Sequence, residues 1–310
     1  MEEVFVENEK VYKRRKTIKS IVTYTFLVIV ALSVLIPFYW MLLTSLKSMQ
    51  QIEARPPILW MSLQDWNLQN YTALFEVVPS GPRAGEPLFP FHVYMGNTVL
   101  VALLTTTGTI ITTVLAAFAF ARLRFKGSTT VFAILLATMM VPGEIFVLTN
   151  FLTVNRLGWY DIMNQTYWDA VAAMTLPFMV NVFYMFYLRQ VFKQIPNELY
   201  YAAKVDGTTD FQYMYRIMIP IAMPTIVTIT ILTSMGAWSA YIWPAMVTTQ
   251  DSYRLVSNGL RGAFTDVGSG RVQYGQQMAA ASLVTLPLLI VFFVFKKQIM
   301  RGVSRSGIKG

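Results

Sequence analysis

Val93-Tyr-Met-Gly-Asn-Thr-Val-Leu-Val-Ala-Leu-Leu-Thr-Thr-Thr-Gly-Thr-Ile-Ile-Thr-Thr-Val-Leu-Ala-Ala-Phe-Ala-Phe-Ala121 contains no Asp, Glu, Lys, Arg or His. A hydrocarbon layer about 30 Å thick is crossed by roughly 20 helical residues, so this stretch is long enough to span it. In hydrocarbon only helices and closed barrels satisfy every backbone N–H and C=O, and barrel strands alternate apolar and polar residues over about ten positions. No such alternation occurs here. The stretch therefore reads as a transmembrane helix.

Five further stretches have the same character: Ser20 to Leu46, Gly127 to Asn155 (interrupted by Glu144), Ala170 to Leu188, Ile217 to Gln250 and Val272 to Phe295. The fifth of the six in chain order is long enough to include interfacial residues. The whole composition agrees, with 55% hydrophobic residues, 13% charged residues and a mean hydropathy of +0.48 in a 310-residue chain, far from the usage of soluble domains. The first span is too long for a signal-peptide apolar region and no small-residue cleavage site follows it, which predicts an uncleaved anchor. The absence of cysteine excludes a disulfide framework.

A net charge of +9 raises nucleic acid or an acidic surface as a partner. The distribution of the charges argues otherwise. Eighteen of the 25 Lys and Arg residues fall in the N-terminal tail, the connections after the second and fourth spans, and the C-terminal tail; seven fall in the alternate connections. The positive-inside rule then places both termini in the cytoplasm, as an even number of spans requires. The expected architecture is an all-α integral membrane protein: a tail over 1–19, six helices within 20–295, and a tail over 296–310. An extracytoplasmic loop occupies 47–92 and a cytoplasmic loop 189–219. Trp60, Trp66, Tyr71 and Phe75 in the outer loop either pack as a small cap or sit at the headgroup boundary as an aromatic belt.

The cytoplasmic loop carries the most local information. After Pro196, Asn197 is a good N-cap and Glu198 suits the positive end of a helix dipole, so a short helix is predicted through Val205. Asp206-Gly207 ends it, because Gly takes the left-handed conformation without strain. Thr209 and Gln212 have the spacing of a capping box and open a second helix towards Ile219, Pro220 and Pro224. Ala202 and Ala203 are small enough to let the first helix lie close against a facing surface. The alternative is an amphipathic loop resting on the headgroups, anchored by its Tyr and Lys residues.

The run Glu198-Leu-Tyr-Tyr-Ala-Ala-Lys-Val-Asp-Gly207, followed by Ile217-Met-Ile-Pro220, resembles the EAA loop of ABC-importer permeases. In that pattern Glu-Ala-Ala is followed after three residues by Gly and after nine more by Ile-x-Leu-Pro, and the spacing here is the same. Pro196-Asn-Glu-Leu, Asp206-Gly207 and Phe211 resemble the carbohydrate-uptake branch, of which maltose-type permeases are members. So do Ala117 to Gly127, Trp238 to Pro244, and the Gly302 to Gly310 ending. The sequence departs from the pattern at Tyr201, where the family has the Glu of the triplet, and at Thr208. An ion pair from position 201 cannot form, so either Glu198 supplies the charge from one turn earlier or the tyrosine packs instead.

The resemblance implies a type I ABC-importer permease fold in the cytoplasmic membrane of a prokaryote. It also implies a heterodimer with a second permease, two ATP-binding subunits that bind ATP and Mg, an extracytoplasmic solute-binding protein, and import of a carbohydrate by alternating access. Glu198, Tyr201, Ala202, Ala203, Asp206, Gly207, Ile217 and Pro220 would form the loop that couples to the ATPase. The tail residues Ser306, Gly307, Lys309 and Gly310 would add a second ATPase contact, or else form a free polar terminus.

The chain lacks a G-x-x-x-x-G-K-[ST] phosphate loop and an H-E-x-x-H site, and has one histidine, His92. It is thus expected to be a transport subunit without catalytic residues, metal or cofactor of its own. Glu144, beside Pro142-Gly143, is the one formal charge within the spans and could accept hydrogen bonds from a substrate or be structural. Asn181, Trp238, Ser239 and Tyr241 could serve a sugar through amide bonds and ring stacking, or serve as core and belt. An ion- or proton-coupled secondary transporter is the alternative, and it calls for more intramembrane charge than one carboxylate.

Overall fold

The computed structural model describes residues 2–77, 85, 87, 89–262, 264 and 272–304. Four helices are long and apolar enough to cross a membrane: the stretch Arg14–Ser45 within the helix Glu2–Ser45, and Phe91–Arg122, Asp210–Trp238 and Tyr274–Val294. Two further pairs qualify together but are bent, Ser128–Thr138 with Gly143–Arg156 at 83° and Tyr167–Phe178 with Val182–Gln194 at 49°, which makes six if each pair is one span.

The helix bounds differ from expectation in instructive places. The first helix begins at Glu2, so the basic tail is itself helical, and the last runs to Ser304, through most of the expected C-terminal tail. The 83° bend in the third stretch falls just before Gly143, beside Pro142. The fourth stretch is also broken, around Met179 to Asn181, which the sequence reading took as continuous. The fifth does not reach Gln250 as one helix; it ends at Trp238 and a separate helix covers Ile242–Val247. Pro220 and Pro224 do not end a helix: a π-turn over Met214–Met218 precedes Pro220, so its missing N–H falls where the backbone bonding changes register.

The chain divides into two compact units, Met1–Leu88 with Phe264–Thr285 and Phe89–Ala263 with Leu286–Gly310. In the first, the segment after Ser45 is tied back by few, well-placed side chains. Asn70 Nδ2 donates to the carbonyls of Ser45 and Lys47 at 2.9 and 2.7 Å, satisfying the end of the first helix. Lys47, 2% exposed, donates from Nζ to Ile58 at 2.6 Å and lies 4.4 Å from the Trp40 ring centroid. Tyr39 donates to the Leu59 carbonyl at 2.5 Å. Of the outer aromatics, Trp60, Trp66 and Phe75 are exposed, whereas Tyr71 is half-buried with its hydroxyl 2.8 Å from Ser45 Oγ.

In the second unit the helix Phe91–Arg122 is the axis, packing against both Ile219–Trp238 and Val182–Gln194. One buried cluster joins Val114, Ala117 and Phe118 to Leu188, Phe192, Tyr213, Met218 and Ile229; another joins Val101 to Val154, Ala173, Trp243 and Leu255. The breaks around Met179 and Ala240 are satisfied by side chains. Thr109 donates to the Phe178 carbonyl and Thr112 to that of Met179. Asn258 and Ser257 serve the carbonyls of Tyr241 and Ala240. Gln165, 4% exposed, bonds Trp159, Val247 and Thr249.

Candidate functional site

The helix expected after Pro196 is Asn197–Val205. Its N-cap position is Pro196, without a capping side chain, so Asn197 is not the cap that the sequence reading assigned; its Oδ1 instead accepts from Arg122. Glu198 does stand in the first turn. Gly207 has a φ of +74°, the left-handed region that favours glycine, and the carbonyls of Ala202, Lys204 and Ala203 accept from the backbone of Asp206, Gly207 and Thr208. The capping box is formed: Gln212 N donates to Thr209 Oγ1 at 3.2 Å, and Thr209 N to Gln212 Oε1 at 3.0 Å.

Across this turn the two helices are fastened by side chains. Lys204 Nζ lies 2.7 Å from Asp210 Oδ1, and Tyr200 donates to the same oxygen at 2.8 Å. The hydrogen bond to Asp210 raises the Lys204 pKa, and burial, then the neighbouring carboxylate, raises that of Tyr200. Tyr200 meets the fully buried Tyr213 edge-on, ring centroids 5.0 Å apart. The turn is therefore a rigid knob.

The alanine pair is divided between two surfaces. Ala203 is 5% exposed and sits in the chain's own cluster with Tyr213 and Met214, whereas Ala202 is exposed. Ile217 is half-buried against the same cluster, and Pro220 is exposed. The outward surface of the knob carries Tyr201, Val205 and Phe211 at 56%, 89% and 63% exposure. Glu198 and Asp206 are exposed as well, and Glu198 has no hydrogen bond or ion pair among the described residues.

Two arginines at this site, read from the sequence only as charges of the connections, have specific partners. Arg122 donates from its guanidinium to Asn197 Oδ1 and to the carbonyls of Phe192 and Ile195. Arg189 Nε donates to the Phe120 carbonyl at 3.0 Å, and its guanidinium lies 3.9 Å from the Phe132 ring centroid.

The pathway candidates do not form one cluster of bonded groups. Glu144 stands exposed in the 3₁₀ turn between Ser128–Thr138 and Phe146–Arg156, its carboxylate without a hydrogen bond or ion pair among the described residues. Asn181 is a helix N-cap, its Oδ1 accepting from Tyr184 N at 3.1 Å. Trp238 ends its helix with its indole N–H buried and unbonded. Ser239 is its exposed C-cap, and Tyr241 opens the next short helix, its carbonyl held by Asn258. Ser306, Gly307, Lys309 and Gly310 lie outside the described residues. Among the described residues no group of three or more His, Cys, Asp and Glu could hold a metal ion.

A knob of this build on a bundle of apolar helices is met by a sequence match: residues 108–305 fit the family described as binding-protein-dependent transport system inner membrane component. The chain belongs to that family. As an inner membrane component it is similar to the inner membrane ABC transporter permease protein YcjP of Escherichia coli, 28% identical with 96% of this chain and 99% of YcjP covered. It is similar also to the trehalose/maltose transport system permease protein MalG of Thermococcus litoralis, 27% identical over the same shares. Its fold resembles a chain of a bacterial ABC transporter involved in the import of the acidic polysaccharide alginate, with a TM-score of 0.76 and 21% identity over 92% of this chain and 97% of that one.

Proposed function

We propose that this chain is one transmembrane subunit of an ABC importer that moves a carbohydrate across a prokaryotic cytoplasmic membrane by alternating access. In this reading it has six spans, with each bent helix pair crossing once and both termini in the cytoplasm, and the knob from Asn197 to Tyr213 docks on a separate ATPase. A second permease, two ATP-binding subunits and a solute-binding protein complete the machine, and ATP and Mg belong to the ATPase. Carbohydrate is supported by what the relatives' names say of them, trehalose and maltose in one and alginate in another.

The observation that carries the coupling reading is the exposed Tyr201, Val205 and Phe211 surface on a turn locked by a capping box, a left-handed glycine and an ion pair. An apolar surface held this rigidly loses little freedom when covered, which favours docking. Where the motif has a glutamate, Tyr201 offers an aromatic face, and the unpaired Glu198 one turn earlier supplies the only acid of the helix. The ATPase groove is accordingly expected to meet position 201 with apolar surface and position 198 with a cation.

Co-purification of the tagged chain from its own membrane, followed by mass spectrometry and an ATPase assay, tests the assembly. An ATP-binding subunit and a second permease should stay bound. A chain that purifies alone and without ATPase activity would sink the proposal.

A further inference from the structure

We propose that Arg122 is a positioning residue for energy coupling, a fork that, with a single bond from Arg189 crossing the other way, ties the docking helix to two membrane helices. This rests on the coupling reading above. Arg122 is the last residue of Phe91–Arg122, yet its guanidinium serves the end of the other helix, Val182–Gln194, at the Phe192 and Ile195 carbonyls. Arg189 on that helix returns the bond to Phe120, near the end of the first. The last carbonyls of a helix have no partner within it and carry the negative end of its dipole, so a guanidinium spanning two of them is well matched to the place.

The third bond from Arg122, to Asn197, joins this lock to the first residue of the docking helix. A push on that helix therefore reaches both membrane helices through one planar group. Two groups at the joint remain unspent: Arg122 Nε and the Tyr213 hydroxyl are both buried without hydrogen bonds.

The test measures ATP hydrolysis by the assembled complex in proteoliposomes, with and without its solute-binding protein, because that stimulation must cross the joint. Arg122→Ala should retain assembly and basal hydrolysis but lose about tenfold of the stimulation, within the usual span of coupling energies. Arg122→Lys should not restore it, since one ammonium cannot reproduce the fork. Normal stimulation in either variant, or loss of the ATPase subunit from both, overturns the proposal. Ala203→Trp is measured alongside. If it abolishes stimulation while Arg122→Ala does not, the fork alone falls; if neither acts, the coupling reading falls with it.

A different observation carries a second inference. The structure assigns Leu59 and Trp60 to the membrane boundary, as a lipid contact made by a loop and not by a span. Tyr39 holds the Leu59 carbonyl, and Tyr39 lies one hydrocarbon thickness, about 30 Å of helix, beyond Lys19. Around it the first helix presents exposed Ile36, Phe38, Trp40 and Leu42. Leu59 and Trp60, at 67% and 79% exposure, continue that apolar surface at its edge, where tryptophan is favoured.

The chain has no cysteine, so single labels are unambiguous. Spin labels at Trp60→Cys and at the exposed Gln64→Cys are compared in vesicles of phosphatidylethanolamine and phosphatidylglycerol. The label at 60 should collide with oxygen and not with a water-soluble nickel complex, and the label at 64 the reverse. Nickel access at 60 equal to that at 64, or screening of 60 from both reagents by a protein partner, overturns it.

Discussion

The turn from Pro196 to Tyr213 and the segment from Leu46 to Glu76 both connect helices, and they differ in how far along the chain most of their ties reach. The turn is secured from within: its capping box, its left-handed Gly207 and its Lys204–Asp210 pair join residues close in sequence. The segment has short helical pieces at Met49–Glu53, opened by its own capping box, and Gln69–Thr72, and is tied over longer distances by Asn70, Lys47 and Tyr39 reaching carbonyls 11 to 25 residues away. Local bonds make a body that moves as one piece. Distant bonds make a cover that keeps its place only while its anchors hold, and this difference suits the first to transmit a displacement and the second to seal a surface.

The strongest attempt to break this contrast is Ala203→Trp. Ala203 is 5% exposed within a buried cluster, and overpacking a core costs about 1–3 kcal/mol. The docking helix should be displaced and uptake by the intact importer lost, while membrane insertion, followed by extraction and protease protection, stays normal. Gly207→Val is the next in size. No atom lies within 4 Å of a Cβ built there, so the cost comes from the positive φ alone, about 1–2 kcal/mol for a left-handed residue. Uptake should fall and the melting temperature of the purified complex with it, and an unchanged uptake would remove Gly207 from the coupling role.

Asn70→Ala probes the other region. It strips hydrogen bonds from two carbonyls, each worth about 1 kcal/mol. Faster amide exchange is expected across 46–76, with ATP hydrolysis still fully stimulated. If stimulation fell as well, the distinction between transmitting turn and sealing cover would be wrong. The smallest effect belongs to Lys204→Met, because both partners of the ion pair are about 40% exposed. Its raised pKa means that the lysine's contribution is complete below the ordinary lysine range and is lost only as pH rises through the raised value. A slight loss of thermal stability at low salt, vanishing at high salt, is the expected result.

Much of the architecture was legible residue by residue. The uncharged stretches become the long helices, and Thr209 with Gln212 does open another. The readings that failed share one cause. Asn197 has the chemistry of an N-cap but spends it on Arg122, 75 residues away. The break at Met179 escaped notice because Thr109 and Thr112, which satisfy the freed carbonyls, lie on another helix.

The sequence by itself determined that this chain carries helices long and apolar enough to cross a membrane and how the turn at Gly207 and Thr209 is folded, because hydropathy, capping and glycine's left-handed backbone act within a few residues. Only the tertiary structure decided which alanine faces inward, which carbonyls the two arginines hold and where Leu59 comes to rest on the first helix. Those outcomes depend on backbone groups, which every residue carries alike. A carbonyl leaves no mark in the sequence until the fold brings a donor to it.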